Sequence, residues 1–421
     1  MTRCHMLFRR FTFAHSPVLF LCLAVLWSGG CQATPRPSDI TPRPSVSTHA
    51  NQDLGAKERR DGRFIGLAIS GGGSRAAVFG GAVMKALDRL GMLDEVDVLS
   101  AVSGGGLPAA YYALDGYGPV DFANGFMERM GHDFQRDVRG SWLSPPNFLR
   151  YWFTSSTRSD LVVKVLDDEL FHGATYADLN PHRPKLLLNA ANALTGEPFV
   201  ISDENFLALD APLASYSLAR AVYMSAAYPG VFEPVGLGHE VVESGQSARP
   251  AVLAYDGGTV DNLGVTAVLN LLNKTAERES FAAAFPNGCL LLSVDATPRT
   301  GAENIQPLTA STVLLQSNRR EVLERVGIQA DQQDRTMFGT FTVGRKGSGS
   351  DCRFWHLSLR QLSDHDPLGA RVTRIKTNLG LDQSDQEALI RAAEQLVRQA
   401  LGQAEGQDLI GMLTRRVLGK K

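Results

Sequence analysis

The sequence predicts an α/β fold in which a central, mostly parallel sheet is flanked by helices. From Phe64 onward, short apolar runs alternate with helical patterns, and glycine-rich turns follow several of the runs. Most runs are almost continuously hydrophobic, which is typical of parallel strands covered by helices on both faces. With 421 residues, of which 44% are hydrophobic and 41 are glycine, the chain is long enough for one large, turn-rich domain.

The elements follow one another as expected for strand and helix alternation. The expected strands are Phe64–Ser70, Val96–Ser103, Lys185–Ala190, Ala251–Tyr255, Cys289–Asp295 and Phe354–Leu359. Apolar residues at helical spacing predict helices over Ala76–Leu90, Leu107–Leu114, Leu161–Phe171, Leu218–Ala227, Leu263–Leu272 and Ser311–Val326. A last amphipathic helix, with apolar positions from Leu389 to Ala400, follows a predicted capping box at Ser384-Asp385-Gln386-Glu387.

Charge and cysteine content exclude several classes of function. The formal net charge of -2 gives no basic field that would gather phosphate backbones, so we expect no nucleic-acid partner. The sequence has no zinc-binding pattern, and we expect neither a metal nor a cofactor. Cys289 and Cys352 either pair in an exported protein or serve as small buried apolar residues.

The N-terminus has the pattern of an export signal. Three arginines precede the apolar run Val18–Trp27, which is short for a membrane span, and Ser28-Gly29-Gly30 leads to Cys31. This resembles a bacterial lipoprotein processing site, so we expect a signal peptide over 1–31 and lipid attachment at Cys31. Gln32 after the cysteine points to the outer membrane by analogy with lipoprotein sorting. Cleavage after Ala33, or a retained anchor, stays open.

The remaining boundaries follow from composition. Residues 32–60 form a Pro-rich linker in which Thr34-Pro35-Arg36-Pro37-Ser38 recurs as Thr41-Pro42-Arg43-Pro44-Ser45. We expect the folded domain over 61–405 and a C-terminal tail over 406–421.

Two glycine-rich turns predict the site. Gly71-Gly72-Gly73-Ser74-Arg75 follows the first expected strand, and Val102-Ser103-Gly104-Gly105 ends the second. A serine at a strand-to-helix turn presents its hydroxyl at the edge of the sheet, where backbone N–H groups of the next helix also point. Glycines let further donors approach a ligand closely. The arrangement predicts acyl transfer with Ser103 as nucleophile.

A serine nucleophile needs a base, and two carboxylates end expected strands. Asp256, before Gly257 and Gly258, follows Ala251–Tyr255, while Asp295 ends a later strand. The flanking glycines favour Asp256. We interpret the nearby Asp261 as a cap of the next helix.

The three motifs resemble those of patatin-like phospholipases. The similarity runs through residues 64–262 and includes Ser225-Ala226-Ala227-Tyr228-Pro229-Gly230-Val231-Phe232-Glu233-Pro234 and Asp261-Asn262. It implies a patatin-like domain, a Ser103–Asp256 dyad, and a lipid acyl-ester substrate such as a phospholipid or lysophospholipid. It also implies an oxyanion hole formed by Gly71, Gly72, Gly73 and Arg75, supported by Gly104, Gly105, Gly257 and Gly258. Ala76 and Ala101 stand where the family has glycine.

Three alternatives accompany this interpretation. The first turn also fits a loose dinucleotide-binding pattern, with Asp94 or Glu95 as the ribose carboxylate. Asp295 could complete a triad with His356 or His365. Because of the two altered glycines, the fold could also serve a catalytically idle lipid- or partner-binding lipoprotein.

Overall fold

Within the described residues, nine strands form one sheet at the centre of the folded domain. The computed structural model describes residues 62–116, 120–143, 157–238, 251–278, 280–299, 319–329, 335–344, 350–363 and 365–408. The strands are β1 (Phe64–Ile69), β2 (Val98–Val102), β3 (Lys185–Asn192), β4 (Glu197–Ile201), β5 (Val235–Leu237), β6 (Val252–Asp256), β7 (Cys289–Asp295), β8 (Phe338–Val343) and β9 (Ser350–Ser358).

The sheet is parallel in its centre and antiparallel at both edges. Its order is β5-β6-β3-β2-β1-β7-β9-β8, and β4 also pairs with β3. Strands β3, β2, β1, β7 and β9 run parallel, whereas β4 and β6 run antiparallel to β3, β5 to β6, and β8 to β9. The predicted α/β fold is confirmed, and its parallel part is the run of five central strands.

Helices cover the sheet on both faces. They are α1 (Gly73–Arg89), α2 (Gly106–Leu114), α3 (Phe126–Met130), α4 (Phe134–Leu143), α5 (Arg158–Leu166), α6 (Asp203–Leu207), α7 (Leu218–Ala226), α8 (Val265–Arg278), α9 (Phe281–Ala284), α10 (319–325), α11 (Pro367–Arg374) and α12 (Gln383–Leu401). Alternate residues of β1 enter two separate apolar clusters, Ile65 and Leu67 in one and Phe64 and Ala68 in the other. This explains the continuous apolar runs in the sequence.

Several predicted boundaries need correction. Asp256 ends β6, which runs antiparallel to β3 and was expected among the parallel strands; its register places Asp256 opposite Ala190. Helix α1 begins at Gly73 because the glycine turn is wound into the helix. The predicted capping box at Ser384 is wrong, since α12 starts earlier, with Asp382 accepting the Asp385 N–H. The predicted helix over Leu161–Phe171 ends as α5 at Leu166 and continues as a π turn.

A disulfide joins Cys289 and Cys352 across β7 and β9, where the two residues are register partners with Cα atoms 4.8 Å apart. Of the two alternatives for these cysteines, the structure has the pair.

Other predictions lie outside the described residues. These are the signal segment with Cys31, the linker, residues 300–318 with the first half of the predicted helix Ser311–Val326, and the tail beyond 408. Among the helices that the structure describes, none combines the length and apolarity required to cross a bilayer.

Candidate active site

The two predicted residues Ser103 and Asp256 meet at one side of the central sheet. Ser103 directly follows β2 and opens a short 3₁₀ turn that leads into α2. Its hydroxyl donates a hydrogen bond of 2.8 Å to Asp256 Oδ2, and both residues are buried, with relative exposures of 9% and 5%. A serine hydroxyl is thus held against a carboxylate that can accept its proton.

Two hydrogen bonds hold the Asp256 carboxylate in place. Its Oδ1 accepts the Gly258 N–H at 2.7 Å, and its Oδ2 accepts the Ser103 hydroxyl. Burial raises the pKa of Asp256 to about 6, against the lowering effect of these two bonds. The carboxylate is therefore a stronger base than an exposed aspartate.

The backbone of Ser103 is strained and anchored. Its φ of 51° lies in the left-handed region, which non-glycine residues rarely adopt. The Ser103 N–H donates to Ser225 Oγ at 2.9 Å, and Ser225 Oγ donates to the Asn189 carbonyl at 2.6 Å. Neither Ser225 nor Asn189 is among the predicted site residues. A polar residue at the end of the apolar strand run Lys185–Ala190 is the signal that could have pointed to Asn189.

The first glycine turn lies directly beside this serine. Gly72 and Gly73 have φ values of 142° and 60°, which favour glycine. A Cβ at Gly104 would collide with the Gly73 carbonyl, so the two turns touch through bare backbone. Among the described residues, the N–H groups of Gly72 and Gly73 have no hydrogen-bond partner. Two donors are therefore available next to Ser103.

Gly71 and Arg75, also predicted for the oxyanion hole, have other partners. The Gly71 N–H donates to the Asn262 carbonyl at 2.9 Å. The Arg75 guanidinium donates from Nε to the Ala296 carbonyl and from Nη1 to the Ile375 carbonyl, both at 2.8 Å. Burial lowers the pKa of Arg75 to about 10, although the Asp295 charge opposes this. These contacts hold the turn in place, and the oxyanion role of Gly71 and Arg75 stays a prediction.

The alternative triad residues lie away from Ser103: Asp295 and His356 are on other strands, and His365 is in a loop before α11. Asp295 ends β7, which is two strands from β2, and its Oδ2 accepts hydrogen bonds from Arg319 Nε at 2.8 Å and Ser358 Oγ at 3.0 Å. Burial opposes the ionised form, but the Arg319 and His356 charges hold the pKa of Asp295 below its ordinary value. His356 is fully buried, with Nε2 3.7 Å from Asp295 Oδ2, and His365 is exposed.

Three further carboxylates have structural partners. Asp261 accepts the N–H groups of Leu263, Gly264 and Thr266 ahead of α8, which confirms its capping role. Asp94, the proposed ribose ligand, pairs with Arg183 at 2.8 Å. His132 Nε2 is hydrogen-bonded to Asp137 Oδ2, and these two side chains and Glu169 have possible ligand atoms within 4.8 Å of one another, but the group is only partly buried.

A buried serine on a strand-to-helix turn, bonded to a buried aspartate beside a glycine-rich loop, defines the class of serine–aspartate sites on α/β sheets. The family model described as patatin-like phospholipase matches residues 67–269, a stretch that includes Ser103 and Asp256. The chain thus contains a domain similar to that family, as the motifs predicted. No curated protein matches the chain in sequence.

Solved structures resemble the chain at low identity. Human GIVD cytosolic phospholipase A2 is 12% identical over 83% of this chain and 60% of its own, with a TM-score of 0.49. VipD from Legionella pneumophila is 12% identical over 79% of this chain and 66% of its own, with a TM-score of 0.34. The heterodimeric ExoU–SpcU complex of Pseudomonas aeruginosa is 17% identical over 85% of this chain and 63% of its own, with a TM-score of 0.25. The chain spans less than two thirds of each of these chains.

Proposed function

We propose that this chain is a serine lipid acyl hydrolase, an esterase of the phospholipase A or lysophospholipase kind that uses a Ser103–Asp256 dyad. One observation carries the proposal: the 2.8 Å hydrogen bond from the Ser103 hydroxyl to the buried Asp256 carboxylate. A serine hydroxyl is a weak nucleophile at neutral pH unless a base accepts its proton as it attacks. Asp256 has the position and the basicity for that task.

The reaction proceeds in two acyl transfers. Ser103 Oγ attacks the ester carbonyl carbon while its proton passes to Asp256 Oδ2, and the tetrahedral intermediate collapses by breaking the bond to the alcohol oxygen. Asp256 returns the proton to the departing alcohol, which leaves the acyl group on Ser103. Water then attacks the acyl carbon while its proton passes to Asp256, the bond to Ser103 Oγ breaks, and Asp256 returns the proton to Oγ as the fatty acid leaves.

The N–H groups of Gly72 and Gly73 receive the oxyanion in this proposal. They have no partner among the described residues and lie on the turn that packs against Gly104. Removing one preorganised donor of this kind costs roughly 10²- to 10³-fold in rate in other hydrolases. Because both donors are backbone groups, glycine is needed here for conformation, and side-chain substitution would act through the shape of the turn.

A lipid substrate agrees with the surroundings of the dyad. The Asp256 N–H donates to the Ala227 carbonyl at 3.0 Å, so the loop after α7 begins beside the base. That loop exposes Tyr228 and Val231 at 40% and 61%. Large apolar side chains in water beside a site favour an apolar acyl chain or a lipid surface over a polar substrate. The match of residues 67–269 to a phospholipase family points the same way.

A fluorophosphonate probe, which modifies activated serines, tests the proposal. We expect labelling of the wild type and of the control Ser293→Ala, which removes a buried serine of β7, and no labelling of Ser103→Ala. Product profiling across lipid classes with wild type and Ser103→Ala would then identify the ester. Folded wild-type protein that resists the probe would refute the hydrolase.

A second candidate is a catalytically idle module that binds lipid or a protein partner. Ala76 and Ala101, in place of the family's glycines, favour it, since each adds a methyl group near the turns. Both alanines are fully buried. Binding of lipid vesicles that is equal for wild type and Ser103→Ala, without labelling of either, would support this candidate.

We also propose that the protein is exported and attached to the cell envelope through Cys31. The disulfide between Cys289 and Cys352 supports export, because disulfides persist in oxidising compartments. Cys31→Ser is expected to abolish metabolic acyl labelling and to release the protein into soluble fractions or stall its processing. A soluble, unlabelled wild type that begins at Thr34 would end this idea.

A further inference from the structure

Ser225 is a fully buried polar residue that the proposed reaction does not use. It lies in the last turn of α7 and has a relative exposure of 0%. A carbonyl only accepts, so the Ser225 hydroxyl proton is committed to the Asn189 carbonyl at 2.6 Å. Its oxygen is then available to accept the Ser103 N–H at 2.9 Å. The Ser225 hydroxyl thus donates one hydrogen bond and accepts the other, and the direction of both is fixed.

We propose that Ser225 is a positioning residue that sets the nucleophile against its base. The inference rests on the proposed function, because it concerns the rate at which Ser103 reacts. Ser225 touches neither substrate nor reacting atoms, and it acts through the Ser103 backbone.

The Ser103 backbone needs such an anchor. A φ of 51° is unfavourable for a residue with a side chain, and such conformations persist where surrounding contacts hold them. The hydrogen bond to Ser225 is one such contact, and without it the buried Ser103 N–H would lose this partner. Rotation of the backbone away from the left-handed region would then swing Oγ away from Asp256.

The same end of α7 also holds the base. The Ala227 carbonyl, two residues after Ser225, accepts the Asp256 N–H at 3.0 Å. Residues 225 and 227 therefore bind the main chains of both members of the dyad, one through a side chain and one through a carbonyl. The separation of Ser103 and Asp256 is set by one short piece of helix terminus.

Asn189 connects this terminus to the sheet. Its carbonyl, which accepts the Ser225 hydroxyl, also packs so closely against Gly257 that a Cβ there would collide with it. Its side-chain amide donates to Ser100 Oγ at 2.8 Å and to the Ala101 carbonyl at 2.9 Å. The peptide that receives Ser225 is thus fixed to β2 on one side and to the Asp256 turn on the other.

The bond also determines which donors can serve the oxyanion. In serine proteases the nucleophile's own N–H contributes to the oxyanion hole. Here that N–H faces Ser225, so stabilisation of the oxyanion depends on the glycine turn.

The test compares Ser225→Ala with Ser293→Ala. Ser293 is an equally buried serine on β7, and its hydroxyl has no hydrogen-bond partner among the described residues, so its alanine variant controls for loss of a buried hydroxyl. For Ser225→Ala we expect kcat on a short-chain aryl ester to fall about 100-fold, as for misplacement of a reacting group, with KM changed less than about threefold. Ser293→Ala should keep wild-type kcat, and Ser225→Thr, which restores the hydroxyl, should recover at least about tenfold.

A second readout separates positioning from mere stability. The Ser103 hydrogen bond lowers the pKa of Asp256, so loosening it in Ser225→Ala should move the acidic limb of kcat/KM to higher pH than in wild type. A Ser225→Ala variant with wild-type kcat and an unmoved limb would overturn the inference while leaving the hydrolase intact. So would equal losses in Ser225→Ala and Ser293→Ala. A wild type without esterase activity would instead refute the proposed function, and the inference with it.

Discussion

Two buried aspartates of the same sheet differ in almost every respect except burial. Asp256 and Asp295 have relative exposures of 5% and 0%, and each ends a strand. Asp256 faces a hydroxyl and a backbone N–H, and its pKa rises to about 6. Asp295 faces the guanidinium of Arg319, and its pKa falls below the ordinary value.

The difference shows that burial alone does not make a base. Desolvation disfavours both carboxylates, but a cationic neighbour reverses the outcome for Asp295. A carboxylate paired with Arg319 is already bonded in its ionised form and is a poor proton acceptor. A carboxylate whose partner is itself a proton donor can take that proton. Among the described residues, a positive charge lies beside Asp295 and none is paired with Asp256, which distinguishes the structural ion pair from the proposed base.

The largest expected effect is on activity. Asp256→Asn keeps the size of the side chain but removes its ability to accept a proton, and should lower kcat/KM on an aryl ester by on the order of 10⁴-fold, nearly as much as Ser103→Ala. Asp295→Asn is the matched control and should keep most of the activity of the folded fraction. The comparison would break if Asp295→Asn were inactive in folded protein while Asp256→Asn was tolerated.

Stability should rank the two aspartate variants in the reverse order, with Asp295→Asn more damaging than Asp256→Asn. Asp295→Asn takes the carboxylate from buried Arg319 and should lower the free energy of unfolding by about 3–5 kcal/mol. Because the pKa of Asp295 is lowered in the fold, this stabilisation is complete above the unfolded value of 3.8 and is lost as pH falls below it. Chemical denaturation of wild type and Asp295→Asn at pH 7 and at about pH 2.5 measures both the difference and its loss.

Asp256→Asn should change the free energy of unfolding in the opposite direction from Asp295→Asn. The pKa of Asp256 is raised from 3.8 to about 6, so its favourable contribution to stability is complete below 3.8 and is lost as pH rises through about 6. At pH 8 the ionised, buried carboxylate destabilises the fold. The asparagine variant should then be as stable as wild type or more stable, with a free energy of unfolding higher by at most about 3 kcal/mol. A strongly destabilised Asp256→Asn at pH 8 would contradict the assigned environment.

How much of the fold and of the site can be predicted depends on how far apart in the sequence the interacting residues lie. The glycine turn and Ser103 are local patterns, and the structure has them at the predicted strand ends. Asp256 was selected by its neighbouring glycines, but its strand runs antiparallel, because pairing with β3 rather than local sequence decides direction. Ala101 stands where the family has glycine, and Ser103 two residues later still has a left-handed backbone.

Residues that support the site from a distance were missed. Ser225 contacts Ser103 across 122 positions, and Arg75 contacts Ile375 across 300. The resemblance implies an oxyanion role for Arg75, whereas nothing near it in the sequence indicates that its guanidinium donates to the Ile375 carbonyl. The cysteine pair was left open for the same reason, since the register of β7 and β9 determines it.

A smaller effect is expected from pH on the wild-type enzyme. If Asp256 must be ionised to act as base, kcat/KM should fall about tenfold for each pH unit below about 6 and level off above about 7. The measurement uses an uncharged aryl ester at constant ionic strength, with circular dichroism at each pH to exclude unfolding. A limb near pH 4 would mean that the base is a carboxylate with an ordinary pKa.

The smallest effect is expected at His365, and it distinguishes the dyad from a triad. The His365 side chain is exposed, and the backbone N–H of His365 donates to Ser363 Oγ at 3.2 Å in a loop before α11. Substitution of an exposed residue of this kind usually changes stability by no more than about 0.5 kcal/mol. His365→Ala should therefore keep esterase activity within about twofold, with the acidic limb of kcat/KM unchanged. His356→Ala should lower stability, because it removes a side chain that lies beside Asp295, but its folded fraction should keep the same activity. If either histidine variant is folded but inactive, a histidine carries the proton, and the contrast between Asp256 and Asp295 is not the one that determines catalysis.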